Sequence, residues 1–297
     1  MQKTLLEKTK EKTIIFDGAM GTLIMAAGVS SVKSPTLLNL EKPELVTDFH
    51  KQYFDAGADV VLTNTFGANP IKLKTEKIER PMETINREAV RLARQACPEG
   101  KFVAGDIGPT GKMLPPVGDC TVEEMREAFY LQAKVLIESG VDLLIIETMY
   151  SLEEAVGAVH GVRNAGDIIL IASMTFNKTE RGYFTLMGET VGQCATALEQ
   201  AGANVLGANC TLGSADMIDL TKELSASTAK PILIQPNAGK PVMRKGVTYY
   251  EQTPSEFAQD ARILIAMGAD MIGGCCGTNP EFIKALTAAL SGNSIAD

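Results

Sequence analysis

The stretch IESGVDLLIIET (137–148) carries the pattern that decides the fold. A helix-like segment runs into Gly140, Val141 and Asp142 follow, and a short apolar run ends on Glu147. The same pattern recurs as FDAGADVVLTNT (54–65), EQAGANVLGANC (199–210) and AMGADMIGGCC (266–276). In each copy a glycine can close the helix through a left-handed cap, a small residue with Asp or Asn comes next, and a strand-length apolar run begins. The runs are continuous rather than alternating. That is the signature of parallel strands covered on both faces.

Four further strand-like runs lie between the repeats: TIIFDG (13–18), KFVAGDI (101–107), IILIASMTF (168–176) and PILIQPN (231–237). Amphipathic spacing predicts helices after them, as in PELVTDFHKQYFDA (43–56), VEEMREAFYLQAKVLIES (122–139) and PSEFAQDARILIAM (254–267). Eight βα units in succession predict an α/β fold, a (β/α)8 TIM barrel, as a single domain over residues 1–297. A doubly wound open sheet would place a glycine-rich phosphate turn after strand 1, and DGAMGT does not fit that pattern. Long loops are expected at 26–42, 108–120 and 238–253, each after an odd-numbered strand and so on one rim.

The 297 residues are 45% hydrophobic and 22% charged, enough apolar material for a large core. A net charge of −8 supplies no basic stripe for phosphate neutralisation, which excludes a nucleic-acid partner. The opening MQKTLLEKTKEKT has no apolar h-region, so neither a secretory signal nor a membrane anchor is expected and the cytoplasm is the default compartment. Six cysteines in such a chain are expected to stay reduced, which opens metal binding or catalysis to them.

Reactive groups in a barrel sit at the C-terminal ends of strands. Counted from each repeat glycine, Glu147 lies seven residues on, Cys210 eight, and Cys275 and Cys276 seven and eight. Strand 2 presents Asn64 and Thr65 at the same level, and the odd strands end on Asp17, Asp106 and Asn237. Three thiols at one mouth suit a Zn²⁺ with its fourth position open. The adjacent pair can share an ion only if the chain turns sharply, which Gly273, Gly274 and Gly277 permit. Two other readings stay open: small buried hydrophobes at a packed strand end, or a strained vicinal disulfide. Glu147 follows LLII and must be paired or solvated, and an amine-bearing substrate would pair it. Asp17 could instead cap a turn, and Asp106 in GDIGP is as readily a turn residue. Cys97, Cys120 and Cys194 lie away from the strand ends and read as structural, as do His50 and His160 in helical stretches.

The motifs DGAMGT (17–22), LTNTFGAN (62–69), GDIGPTGK (105–112), ETMYS (147–151), GANC (207–210), QPNAGKP (235–241) and GGCCGT (273–278) together resemble the zinc-dependent homocysteine S-methyltransferases. They look most like the homocysteine-binding module of cobalamin-dependent methionine synthase. The resemblance implies that Cys210, Cys275 and Cys276 are zinc ligands and that the homocysteine thiolate joins them. It implies that Asp17 and Glu147 hold the substrate amine, that backbone amides at Gly18 and Ala19 receive its carboxylate, and that Asn237 lies near the metal. It also implies methylcobalamin on a corrinoid protein as methyl donor. The chain lacks a DxHxxG corrinoid signature, since Tyr53 stands where the glycine after Asp48 and His50 would be, so cobalamin is expected from a separate domain or protein. S-methylmethionine or betaine as donor, another thiol as acceptor, and a non-catalytic zinc- or thiol-binding barrel are the alternatives.

Overall fold

The computed structural model describes residues 3–29, 33–244 and 247–291. Eight parallel strands, numbered here along the chain, form the barrel: β1 (Ile14–Ile15), β2 (Val60–Leu62), β3 (Phe102–Ile107), β4 (Leu143–Met149), β5 (Ile169–Met174), β6 (Val205–Gly213), β7 (Ile232–Asn237) and β8 (Met271–Ile272). Each pairs with its sequence neighbours, and β8 pairs with β1. A parallel bridge from Phe16 to Val60, with Asp17 N–H donating to the Val60 carbonyl at 3.0 Å, joins β1 to β2 and closes the cylinder. The predicted barrel is therefore the observed one.

The repeat has a specific mechanical basis. Its four glycines, Gly57, Gly140, Gly202 and Gly268, all have φ between 91° and 114°, a backbone region costly to side chains with a Cβ. Its four acids or amides each accept a hydrogen bond from the first turn of the preceding strand. Asp59 takes Ile15 N–H at 3.2 Å, Asp142 takes Val103 N–H at 2.7 Å, Asn204 takes Leu170 N–H and Asp270 takes Ile232 N–H, both at 2.8 Å. Even strands are thus tied to odd strands at the barrel's N-terminal end, which leaves the other end free for chemistry.

Inside the cylinder, Ile14, Phe16, Val60, Phe102, Leu143, Ile145, Ile171, Val205, Leu233 and Met271 form a closed apolar plug. Leu5 joins it from the helix Leu5–Thr9, which Thr4 and Glu7 cap reciprocally. The lysine-rich opening is thus a lid on the barrel floor. A second, larger cluster fills the space between strands and surrounding helices. Three of those helices start with the same Thr-x-x-Glu/Gln box, at Thr121, Thr190 and Thr253.

The rim differs from expectation in detail. The 26–42 segment, of which residues 30–32 lie outside the described residues, carries a 3-10 turn at Pro35–Leu37 and a short helix at Leu38–Glu41. The 238–253 segment holds an antiparallel hairpin of Val242–Arg244 with Val247–Tyr249, its two connecting residues lying outside the described set. A second hairpin, Asn177–Thr179 with Gly182–Phe184, follows β5. All four odd strands therefore lead into long rim segments. Among the described residues no helix is long and apolar enough to cross a membrane.

Candidate metal centre

Cys210 ends β6's regular pairing, and Cys275 and Cys276 follow β8. The three sulfurs all lie within 4.8 Å of one another, and Cys210 Sγ is 3.9 Å from Cys276 Sγ. Zinc–thiolate bonds of about 2.3 Å in a tetrahedron put sulfurs about 3.8 Å apart, so the trio has the spacing of a shared ion. None of the six cysteines is in a disulfide. Cys97, Cys120 and Cys194 stand apart from the trio, at a helix end, in a loop and inside the helix Val191–Ala201.

The backbone has been bent to aim these groups. Register breaks between Ile146 and Met149 on β4 and between Asn209 and Gly213 on β6. Thr148, Cys210 and Thr211 have φ of 59°, 63° and 62°, a left-handed conformation that is unusual for any of them and an outlier for β-branched threonine. Strain of this kind concentrates where side chains must be presented to a ligand. Past β8 the turn uses its glycines in two ways. Only Gly277 is left-handed, at φ 84°, and a Cβ there would strike the Tyr250 ring. Gly273 and Gly274 serve close approach instead: a Cβ on Gly273 would sit 2.7 Å from Phe16 Cβ, and one on Gly274 would collide with Thr278.

The first and last motifs interlock. Gly274 N–H donates to the Asp17 carbonyl at 2.9 Å, Ala19 N–H to Thr278 Oγ1 at 3.2 Å, and Gly277 N–H to Thr22 Oγ1 at 3.1 Å. Thr278 Oγ1 donates in turn to the Cys275 carbonyl at 2.7 Å. Thr22 and Thr278 were not singled out from sequence, although each closes its motif. Asp17 is buried, and its Oδ2 accepts Leu62 N–H at 2.8 Å. Asp106 is no turn residue: it lies within β3, buried, with Oδ1 lacking a partner among the described residues. Asn237 Oδ1 and Gln235 Oε1, both on β7, are likewise buried and unpartnered. Asn64 and Thr65 are committed elsewhere, to Pro35, Asn39 and the Asp106 carbonyl.

The electrostatics describe a mouth short of positive charge. Among the thiols, hydrogen bonds from Cys210, Cys275 and Tyr250 pull Cys276 down and hydrogen bonding to Cys210 and Cys276 pushes Cys275 up, while Cys210, held down by Cys275, is pushed up on balance by Cys276 and burial. A divalent cation is what would let all three sulfurs ionise together. Burial raises Glu147 to about 8, helped by the nearby Cys276 charge. Burial also lifts Asp17 and Asp106 well above the carboxylate range, with repulsion from Glu147 adding to both. A cleft of about 780 Å³ between the helix Pro70–Thr75 and the helix Val122–Glu138 contains none of these residues.

Residues 14–290 match the family model for homocysteine S-methyltransferase. The methionine synthases of Mycobacterium tuberculosis and Mycobacterium leprae are 32% and 31% identical to this chain over 97% of its length. The chain spans only 25% of each of those relatives. The metallated homocysteine methyltransferase MmuM of Escherichia coli superimposes with a TM-score of 0.79 over 96% of this chain and 98% of its own, at 24% identity, which speaks for the fold. The chain belongs to the homocysteine S-methyltransferase family.

Proposed function

We propose that the barrel binds homocysteine at its mouth and presents the thiol to a methyl donor, a methylated corrinoid held by another domain or protein, to form methionine. The observation that carries this reading is the spacing of the Cys210, Cys275 and Cys276 sulfurs, which suits a zinc ion with one coordination position left over. Zinc held there would lower the pKa of an incoming thiol from about 8.5 and keep its thiolate nucleophilic, because three cysteine thiolates already leave the centre negative.

The chain's own groups do the rest. Glu147 and Asp17 take the substrate ammonium, a cation that offsets the burial and repulsion raising both carboxyls. The amides at Gly18 and Ala19 face the substrate carboxylate. Ala19 N–H already donates to Thr278 Oγ1, so the carboxylate shares or displaces that bond. Asn237 Oδ1, buried without a partner, is a neutral oxygen available to the metal or to the substrate. Holding thiol and donor in line supplies the orientational part of the acceleration.

A macromolecular donor is favoured by the rim. Apart from Leu131 and Ile263, the large exposed apolar side chains of the described residues follow barrel strands at this end: Met25, Phe66, Val117, Leu186, Met187, Met243 and Tyr249. Apolar side chains on several loops of the same rim suit contact with a protein surface. A small donor such as betaine or S-methylmethionine has no need of one. Thiol ligands require a reducing environment, and the cytoplasm is the compartment we assign. Incubating zinc-loaded protein with homocysteine and a methylated corrinoid protein should yield methionine. Turnover with betaine or S-methylmethionine alone would overturn the donor assignment, and no methionine from any donor would overturn the enzyme reading.

A further inference from the structure

The buried amide of Asn209 stands where the two distorted strands meet. It is fully buried, and it occupies the seventh position after Gly202, equivalent to Glu147 and Cys275 in their repeats. Its Oδ1 accepts Thr148 N–H and Ser173 Oγ–H, both at 2.9 Å. Its Nδ2 donates to Thr148 Oγ1 at 2.8 Å and points its other proton at Cys275 Sγ, 3.9 Å away. All four hydrogen-bonding valences of the side chain are used, which a solvent-facing amide rarely achieves. Two of the four grip Thr148, the left-handed residue that follows Glu147. The fourth reaches across β7 to a sulfur just past β8. The backbone continues the link, because Cys210 is the next residue and is itself left-handed.

We infer that Asn209 is a positioning residue that couples the two halves of the site, holding the strained Thr148 turn that presents Glu147 and, with the same amide, orienting Cys275 Sγ. This rests on the methyltransferase reading for the identity of the substrate, but the coupling itself is a property of the fold. An amide that donates to a thiolate also draws charge from it, and losing a partner of this kind typically costs about 10–100-fold in metal affinity. A left-handed threonine relaxes when its tether is cut, so Glu147 moves when Asn209 is shortened. Metal retention and recognition of the substrate amine are therefore linked through one side chain that touches neither the donor nor the reacting sulfur.

The test is Asn209→Ser, neutral and too short to span both contacts, read on three scales. Zinc affinity by chelator competition is expected to fall about tenfold or more. The thiolate-to-metal charge-transfer band of the cobalt-substituted protein is expected to shift. The preference for homocysteine over 4-mercaptobutyrate, which lacks the amine, is expected to fall about tenfold, the worth of lost hydrogen bonds. A role confined to stability would lower the melting temperature and leave the band and the preference unchanged, which would overturn the inference. Loss of zinc affinity with the preference intact, or the reverse, would show two independent contacts and overturn it too. Should Asn209→Ser fail to fold, Thr148→Gly replaces it, since glycine accepts the left-handed turn and removes one of the amide's partners. A shifted cobalt band in Thr148→Gly supports the coupling, and an unchanged band overturns it. Wild-type protein that binds no homocysteine would defeat the methyltransferase reading, while the zinc and cobalt scales would still decide the role of Asn209.

Discussion

Replacing Glu147 by Gln removes one proton acceptor and one charge without changing shape, and the structure sets the size of the effect. Burial and the Cys276 charge hold the Glu147 carboxyl at about 8. At pH 7 such a group is about nine-tenths protonated, so it must release about 0.9 proton to pair with an ammonium ion. A thiol of pKa about 8.5 releases about one more on binding as thiolate. Homocysteine binding to Glu147→Gln should thus release about 0.9 proton fewer at pH 7 than binding to wild-type protein, since the thiol proton and any proton from Asp17 are common to both. Truncating one partner of a buried charge pair costs about 2–5 kcal/mol. Ionising Glu147 at pH 7 already consumes about 1.4 kcal/mol. The variant should therefore lose about 2 kcal/mol, about thirtyfold in affinity. Because an adjacent ammonium lowers the carboxyl pKa, wild-type affinity should rise from pH 6 to about 8, and the variant should lack the Glu147 part of that rise. Calorimetry in two buffers of different ionisation enthalpy measures the proton count directly. Equal proton release from the two proteins would refute the amine-anchor role.

Other expectations follow from single contacts. His50 is buried with neither ring nitrogen partnered among the described residues, and burial lowers it from 6.5 to about 4. Between those values the unfolded chain binds the extra proton, so stability is present above pH 6.5 and is lost as pH falls towards 4, by about 3 kcal/mol. Denaturation of His50→Leu against pH should show a flatter acid limb, and an unchanged one would contradict the assignment. Gly277→Ala combines a left-handed Cβ penalty of about 1–2 kcal/mol with a collision against Tyr250, and should lower both the unfolding free energy and zinc affinity. Asp142→Ala strands the Val103 N–H at the barrel floor and should cost about 1–3 kcal/mol in urea unfolding, with zinc content unchanged.

Much of the barrel was readable because its instructions are local. A left-handed glycine, a small residue with an acid, and an apolar run lie within ten residues of each other, and the four copies mark every even strand. The same count from each glycine located Glu147, Cys210, Cys275 and Cys276 at one level, and the sulfurs do converge. Asn209, at the seventh place of its own copy, was passed over because an amide shows its partners only when Thr148, Ser173 and Cys275 are brought beside it. Thr22 and Thr278 were hidden for the same reason: they are about 255 residues apart in sequence and join only through the closed barrel. The two rim hairpins went unread because their strands are three residues long, too short for alternation to register. GDIGP left Asp106 open between a strand-end group and a turn residue, and its strand continues one residue past it.

In the proposed centre three cysteines of this chain hold a metal and leave one position for a thiol from outside. X-ray absorption at the zinc edge counts sulfur neighbours and tests it most directly. Three sulfurs about 2.3 Å from zinc are expected in the protein alone and four once homocysteine is added. A count that stays at three with homocysteine bound, or that stays at three in Cys276→Ala, would contradict it.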